Sequence, residues 1–561
     1  MKKMQKLLSG LLAMSIAVSV SACNRRSSLE TKQKKLGATM ETETPETEPT
    51  YLPTDTTPEP TDTTPEPTDT TAPSGNTDLN LQIPVPEKNC SVEFLPENER
   101  FHYDMALELD TTKNTVSGHV VAKFFNNSDD AWDKLCLRDY SSLFKDEQTS
   151  GVPGSDGALT EIENIEAGNS KNIQYTRDSD VSVVWIPLPT PLQPKEEMTL
   201  SYDFTAKIPS LADRYGVSQD VFNVTNFYPI LAVYTNGDWS HEAFYNMGEC
   251  FFSEISDYKV MLTVPSDYMI LTTGVEEEYK QENGKTTYSI DAPCVRDFVF
   301  CASAGFKLYE GDYKDVHIRV VYDEKHPASN EMPECCEASV QAAEESLAAF
   351  GEAFGEYPYP ELDIILAPID AGGMEYPNLI ICTVDTLYCT KNSWEKLPFN
   401  TMRGVVAHEI GHQWFMGIVG SNSGMEPWLD ESFASYTEIV YYEYVGDPSK
   451  YDYYSRKGAD LSDQNYNSSI KAMGSIPINR SYYSFGSEYS FVYAAYEVGK
   501  QALFQMEEIL GTEEFHGVIR EYVRRNAFKN STADRFFEVL YECAGKNNAD
   551  LNALIDAVFE I

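Results

Sequence analysis

The stretch His408-Glu409-Ile410-Gly411-His412, with Glu431 nineteen residues further on, decides how the second half of this chain must fold. Residues four apart lie on one face of an α-helix, so the stretch predicts a helix that directs His408 and His412 at one point. Glu431 lies in residues 428–436, where apolar residues recur at helical spacing. A second helix packed beside the first would turn Glu431 toward the two imidazoles.

Two histidine nitrogens and one carboxylate oxygen form a zinc site that leaves the fourth position open, which is the arrangement of catalytic zinc. Glu409 follows the first histidine, where it can take a proton from water bound to the metal. Because the chain has only 8 histidines in 561 residues, this pair is not a product of composition. The motif predicts one Zn²⁺ per chain on His408, His412 and Glu431, in a zinc peptidase; a helix with two surface histidines is the alternative.

The N-terminus is typical of a targeting segment. Lys2, Lys3 and Lys6 precede an apolar stretch over residues 7–20, which is too short to span a membrane comfortably. Small residues then precede Cys23, as in a bacterial lipoprotein signal whose cysteine is lipidated. We expect residues 1–22 to be the signal peptide and acyl chains on Cys23 to anchor the protein outside the cytoplasm, at the cell surface. An ordinary secretory signal with an incidental cysteine is the alternative.

Residues 23–84 are predicted to form a disordered tether rich in Thr, Pro, Glu and Asp. The unit Thr54-Asp55-Thr56-Thr57-Pro58-Glu59-Pro60 recurs at residues 61–67. It has no apolar positions that could form a coiled coil, and proline and like charges favour an extended chain. At ~3.1 Å per residue, such a segment could hold an enzyme on the order of 150 Å from a membrane.

Composition narrows the function classes further. A net charge of −45 argues against nucleic acid as a partner and against docking on an anionic membrane surface. The 11 cysteines show no C-x-x-C spacing, so a cysteine zinc site is not expected. About 480 residues beyond the tether are too many for one core and imply two or three domains.

The fold class follows from a change of pattern along the chain. Residues 85–304 contain short alternating runs, among them 103–109 and 199–204, separated by turn residues, which predicts an N-terminal β-sheet domain. In residues 305–561 the spacing becomes mostly helical, with a helix over 331–354 and the zinc helix over about 399–416. The prediction is a multidomain α+β protein whose second domain is mostly helical.

A second motif, Gly372-Gly373-Met374-Glu375, precedes the zinc helix. Two glycines let a backbone approach a ligand closely, and a carboxylate follows at once. Taken alone, the motif is weak, because a surface turn with a solvated glutamate has the same composition. In this order along the chain, however, the two motifs resemble the M1 family of zinc aminopeptidases, in which G-x-M-E-N precedes H-E-x-x-H-x18-E.

The resemblance covers most of residues 90–561 and implies a β "saddle" domain followed by a thermolysin-like catalytic domain. It implies that Glu375, with Gly372, Gly373 and Met374, binds the free α-amino group of a substrate. A catalytic tyrosine some 65 residues after the zinc glutamate is also expected, which selects Tyr496. The long C-terminal helical domain of larger members is expected to be missing.

Several positions depart from the family pattern. Tyr376 replaces the motif asparagine, Asp430 and Ser432 flank Glu431, and Val498 replaces a lysine after Tyr496. None of these changes removes a metal ligand or a catalytic group, although Tyr376 and Asp430 put the surroundings of the site in doubt. Glu438, seven residues after Glu431, matches an acidic residue of the family and is either a partner of a ligand histidine or a solvated helix residue.

The sequence as a whole predicts a cell-surface aminopeptidase that acts on peptides with a free N-terminus. In this hypothesis Glu409 is the general base and Tyr496 stabilises the oxyanion. Two alternatives stay open: a zinc endopeptidase of the thermolysin type, and a surface binding lipoprotein on a peptidase fold that has lost its activity.

Overall fold

The computed structural model describes residues 81–245, 248, 251–393, 395–455 and 477–560. The predicted signal peptide, Cys23 and the predicted tether up to residue 80 lie outside the described residues. Within those described ranges, no helix combines the length and the apolar character needed to cross a lipid bilayer.

The first part of the described chain consists mainly of strands, with one short helix, α1 (Glu147–Ser150). Its strands are β1 (Phe101–Asp110), β2 (Thr115–Phe125), β3 (Trp132–Arg138), β4 (Glu161–Ala167), β5 (Thr176–Arg177), β6 (Val183–Leu192), β7 (Glu197–Lys207), β8 (Gly216–Ser218), β9 (Val221–Val224), β10 (Ile230–Leu231), β11 (Tyr234–Thr235), β12 (Asp238–Trp239), β13 (Ser256–Pro265), β14 (Met269–Thr272), β15 (Val275–Glu282), β16 (Lys285–Val295) and β17 (Phe300–Ser303). The largest sheet has seven strands in the order β15-β16-β13-β1-β2-β7-β4. Side chains of β1 alternate between buried and more exposed positions, as expected for a sheet with one face on the core.

The second part begins with strands and continues with helices. Its strands are β18 (Phe306–Tyr313), β19 (Val316–Asp323), β20 (Glu361–Ala367), β21 (Gly373–Tyr376), β22 (Leu379–Thr383), β23 (Val419–Gly420) and β24 (Lys529–Asn530). Its helices are α2 (Met332–Phe354), α3 (Asn400–Trp414), α4 (Trp428–Tyr444), α5 (Pro448–Ser455), α6 (Glu488–Val492), α7 (Gly499–Leu510), α8 (Thr512–Asn526), α9 (Ala533–Ala544) and α10 (Ala549–Val558). A π-helical segment, Tyr493–Val498, joins α6 to α7.

This architecture confirms the predicted fold class. The helix predicted over 331–354 is α2, which ends at Gly355, and the zinc helix is α3. The second part is less purely helical than expected, because a mixed sheet in the order β18-β19-β20-β22-β21 underlies its helices. Strand β21, which carries the Gly-Met-Glu motif, forms one edge of that sheet and pairs antiparallel with β22.

Helices α3 and α4 pack closely because α3 has a glycine at their contact. A Cβ atom on Gly411 would collide with the Thr437 hydroxyl of α4. The other face of α3 is buried by Trp414, which packs edge-on against Phe350 and donates a 2.9 Å hydrogen bond to the Gly355 carbonyl of the α2 terminus. The close approach at Gly411 brings Glu431, near the start of α4, within reach of the histidines of α3.

Candidate active site

The two histidines and Glu431 converge as the sequence predicts. The Nε2 atoms of His408 and His412 lie 3.3 Å apart. The Oε2 atom of Glu431 lies 3.5 Å from each of these nitrogens. His412 and Glu431 are buried, and His408 is nearly so.

This triangle fits a tetrahedral zinc ion. Zinc bonds of about 2.0–2.1 Å at tetrahedral angles place ligand atoms about 3.3–3.4 Å apart. The observed edges of 3.3 and 3.5 Å match that spacing. Within the described part of the chain, the Oε2 atom of Glu431 is buried without a hydrogen-bond partner, as expected for an atom that a metal ion would satisfy. His408, His412 and Glu431 are therefore the residues that would hold zinc.

Each histidine is oriented by a carboxylate on its other nitrogen. The Nδ1 atom of His408 lies 2.9 Å from Oε1 of Glu438, and Nδ1 of His412 lies 2.6 Å from Oδ1 of Asp430. Asp430 is held in turn by the Ser423 hydroxyl, which donates to its Oδ2 at 2.6 Å. A carboxylate on Nδ1 keeps the proton there and leaves Nε2 free to bind a metal.

The carboxylates also set the charge of the metal-free site. Burial lowers the pKa of His408, but the adjacent carboxylates of Glu431 and Glu438 outweigh burial and raise that pKa to about 9. Burial likewise lowers the pKa of His412, whereas Glu375 and Asp430 raise it well above its usual value. Burial raises the pKa of Glu431, yet the two histidines bring it down to about 2. Zinc must therefore displace protons from both imidazoles when it binds.

Glu409 lies between the metal ligands and the edge strand β21. Its side chain is buried, and it contacts the backbone of Gly373 so closely that a Cβ atom on Gly373 would overlap its carboxylate. Gly373 thus makes room for Glu409, whereas nothing lies within 4 Å of where a Cβ on Gly372 would be. Gly373 is therefore needed in the motif because a side chain at this position would collide with the Glu409 carboxylate, which the sequence alone did not reveal.

Glu375 is brought to the same place by the pairing of β21. The ligand atoms of Glu375, Glu409 and His412 lie within 4.8 Å of one another. Gln413 of α3 fixes the strand beside the helix, because its amide donates to the Tyr376 carbonyl and accepts from the Asn378 N–H. A second carboxylate, 3% exposed, therefore stands directly beside the predicted zinc site.

Tyr496 reaches the site from the π-helical segment. Its ring is parallel to that of His408, with centroids 5.9 Å apart and an interplanar angle of 5°. Ser432, one of the departures from the family pattern, donates a 2.6 Å hydrogen bond to the Ala495 carbonyl, and Gly499 leaves the space that the Ser432 side chain occupies. Insertions of this kind into α-helices are frequent at functional sites. Here the insertion presents Tyr496 to the metal ligands.

Sequence reasoning missed some of these roles. Asp430 appeared only as a doubtful departure, although it contacts His412, and Glu438 was left between two interpretations, although it contacts His408. Helix periodicity could have found both, since Glu438 lies two turns after Glu431 and Asp430 lies directly before it. The predicted residues Met374 and Glu375 line a cavity whose other walls come largely from the first part of the chain, and no sequence signal located those walls.

Comparison with known proteins agrees with this geometry. Residues 338–558 match the peptidase family M1 domain. The chain is 24% identical over 306 residues to aminopeptidase M1-B of Oryza sativa subsp. japonica, which covers 52% of this chain and 33% of that protein. It is 29% identical over 199 residues to glutamyl aminopeptidase of Bitis rhinoceros, which covers 34% of this chain and 20% of that protein. The chain thus spans about a third or less of the length of these relatives.

Solved structures show the same fold over most of the chain. The M1 zinc metallopeptidase of Deinococcus radiodurans superposes with a TM-score of 0.59 at 17% identity, covering 82% of this chain and 94% of that one. A mutant of that enzyme bound to a Tyr-Ser-Ala substrate superposes with a TM-score of 0.57, again at 17% identity and with the same coverage.

The zinc ligands, Glu375, Glu409 and Tyr496 all fall inside the segment that matches the family domain. By that match and by the geometry of its site, residues 338–558 of this chain form a peptidase family M1 domain.

Proposed function

We propose that this protein is a zinc-dependent aminopeptidase that removes the first residue of peptides. The observation that carries the proposal is the buried carboxylate of Glu375 beside the zinc-binding triangle. An ammonium group held by Glu375 would leave only the first peptide bond within reach of the metal. An endopeptidase has no use for a fixed negative charge at that position, because its substrates continue there as a neutral chain.

The comparisons support this choice. Two relatives are named aminopeptidases, and the Deinococcus radiodurans enzyme has been solved with a short peptide substrate. Because the alignments cover only part of those relatives, the activity is proposed from the residues of the site.

The residues of the site can be assigned steps in the reaction. Zinc, when bound, supplies a Lewis acid that polarises the scissile carbonyl and acidifies water. Glu409 takes the proton of the attacking water and later delivers it to the leaving amine. Tyr496 donates a hydrogen bond to the oxyanion that develops at the carbonyl. Glu438 and Asp430 keep the ligand histidines in the tautomer that presents Nε2.

A substrate comparison tests the proposal. The wild-type protein should hydrolyse aminoacyl-arylamides and leave the same compounds intact when their amino group is acetylated. Glu409→Gln should abolish turnover while zinc content, measured by elemental analysis, stays near one per chain. Activity that survives Glu409→Gln, or equal hydrolysis of free and acetylated substrates, would contradict the mechanism.

The same comparison of free and blocked substrates separates the aminopeptidase from the two alternatives, a zinc endopeptidase and an inactive binding lipoprotein. A thermolysin-type endopeptidase would cleave blocked peptides internally, and Glu375→Ala would lower its activity on free and blocked peptides equally. A binding lipoprotein would bind zinc without turnover, or bind none.

We also propose that the enzyme is displayed outside the cell on a lipid attached to Cys23. The support is the sequence alone: a basic N-terminus, an apolar stretch and small residues before the cysteine. In a bacterial host, the wild-type protein should incorporate labelled fatty acid and fractionate with membranes. Cys23→Ser should lose the label and appear in the soluble fraction; a soluble, unlabelled wild-type protein would contradict the proposal.

A further inference from the structure

A cavity adjoins Glu375 on the side that faces the first part of the chain. The space there that is not filled by protein atoms amounts to about 570 Å³, a figure that includes open solvent. Met374 and Glu375 of β21 line one side, and Asn226 and Asp297, from loops of the first part of the chain, line the other. Any group attached next to an ammonium held by Glu375 would have this cavity available to it.

Asp297 places a second carboxylate in the cavity. Only 9% of the residue is exposed. Its oxygens accept hydrogen bonds from the Tyr228 hydroxyl at 2.6 Å, the Asn226 amide at 2.7 Å and the Phe298 N–H at 2.8 Å, all of which are neutral donors. Among the described residues, no lysine, arginine or histidine nitrogen lies within 4.0 Å of it. Its charge is hydrogen-bonded but not neutralised.

Arg296 is the basic residue nearest in sequence, and its donors are used elsewhere. Its Nε donates to the Met416 carbonyl at 2.6 Å, and its Nη1 donates to the Ser253 carbonyl at 3.1 Å and to the Asn530 side chain at 2.6 Å. Its Nη2 donates to the Lys529 carbonyl at 2.9 Å. Arg296 thus joins three segments of the backbone and does not neutralise Asp297.

Two further features tie Asp297 to the substrate side of the site. The Tyr376 hydroxyl donates to the side-chain oxygen Oδ1 of Asn226 at 2.8 Å, so two hydrogen bonds connect the residue after Glu375 to Asp297. The Ser421 hydroxyl, which also lines the cavity, is buried without a hydrogen-bond partner among the described residues. Arg296, whose guanidinium nitrogens all donate to protein oxygens, lines the cavity as well, and most of the other lining side chains are apolar, including Ile230, Phe251 and Met416.

We propose that Asp297 makes this enzyme selective for peptides whose first residue has a cationic side chain. The inference rests on the proposed aminopeptidase function, in which Glu375 holds the α-ammonium. The apolar walls would accommodate the methylene groups of lysine or arginine, and the distal charge would pair with Asp297. A buried carboxylate without a cation is costly, so a ligand that supplies the cation is favoured over a neutral one of the same shape.

The ionisation state of the Asp297 carboxyl group agrees with this role. Burial raises its pKa to about 6, against the opposing effect of the hydrogen bonds from Tyr228, Phe298 and Asn226. The group is therefore still ionised at neutral pH, where lysine and arginine carry their full charge.

Matched substrates test the inference. Lysyl-arylamide is compared with norleucyl-arylamide, and arginyl-arylamide with citrullyl-arylamide, because each pair differs mainly in the side-chain charge. The wild-type enzyme should show a kcat/KM at least about tenfold higher for the charged member of each pair. Asp297→Asn should remove that preference and change kcat/KM for the neutral members by less than about twofold.

Glu507→Gln is the matched control. Glu507 is also buried and bonded to neutral donors, Tyr436 and Thr512, but it does not line the cavity. This variant should keep the wild-type preference. A wild-type enzyme that cleaves norleucyl- and lysyl-arylamides equally would overturn the inference alone, even if Asp297→Asn fails to fold. An equal loss on all substrates in a folded Asp297→Asn would also overturn it, whereas no hydrolysis of any arylamide by the wild type would overturn the proposed function itself.

Discussion

The site has two halves that are built in different ways. The metal half consists of His408, His412 and Glu431 on two adjacent helices, and both imidazoles are held by a further carboxylate. The substrate half consists of Glu375, on the edge of a sheet, and Tyr496, in a π-helical segment. The metal half follows from residues close in sequence, while the substrate half depends on long-range packing. The two halves should therefore fail in different ways when they are mutated.

Removal of a ligand should break the metal half completely. Glu431→Ala is expected to reduce zinc content from about one per chain to nearly none, and to lower kcat/KM by about a thousandfold or more, because two histidines alone do not complete the site. Elemental analysis and arylamide kinetics measure both effects. Glu443→Ala, an exposed position on the same helix, is the control and should retain zinc and activity. Full zinc content in Glu431→Ala would refute the ligand assignment.

Loss of one hydroxyl should break the substrate half and leave the metal in place. Tyr496→Phe keeps the ring beside His408 but removes the proposed oxyanion donor. We expect kcat to fall by about 100- to 1000-fold, with KM little changed and zinc content unaltered. Tyr279→Phe, at a tyrosine that is 68% exposed, is the control. If Tyr496→Phe lost zinc instead, the division into two halves would be wrong.

The pH dependence of stability should belong to the metal half. The pKa of His408 is raised from about 6.5 to about 9 in the folded, metal-free protein. The contribution of His408 to the free energy of unfolding of the metal-free protein is therefore fully present below pH 6.5 and is lost as pH rises through 9. It amounts to about 3 kcal/mol. The melting temperature of the metal-free protein should fall over that window, while the increase on adding zinc should grow. Glu431→Ala removes a main cause of the shift and should flatten the profile of the metal-free protein; an unchanged profile would contradict the assignment.

The smallest effects are expected at Asp430 and Glu438, the two carboxylates that contact the Nδ1 atoms of the ligand histidines. Asp430→Asn should weaken zinc binding by about 10- to 100-fold, as is usual when the partner of a ligand histidine is altered. Glu438→Gln should weaken zinc binding less, because the Glu438 side chain is 13% exposed and that of Asp430 is fully buried. Competition against a chelator of known affinity measures both constants. A larger loss of zinc affinity for Glu438→Gln than for Asp430→Asn would show that burial does not decide which of the two hydrogen bonds matters more for zinc binding.

Much of the fold was predictable from local pattern. Alternation along β1 and helical spacing along α2 are properties of single segments, and both elements lie where the sequence predicts them. The strands of the second part were harder to predict. A short edge strand such as β21 has too few residues to show a periodicity, and its pairing with β22 depends on a partner that spacing does not identify.

The cavity beside Glu375 shows the same limit. Asn226 and Asp297 are 71 residues apart, and their hydrogen bond forms only because the loops after β9 and β16 lie side by side. Neither residue belongs to a motif, so composition and spacing do not mark them. Their relation to Glu375 exists only in the packed structure.

The sequence by itself predicted the residues that converge as candidate zinc ligands, the proposed general base and the order of the two parts of the chain. It could do so because a helix converts a spacing of four residues into one direction in space. Tertiary structure decided the remainder: the hydrogen bond of Asp430 to His412, the place of Tyr496 beside His408, and the unneutralised charge of Asp297 in the cavity. Each of these depends on which distant segments come into contact, and packing of the whole core decides that.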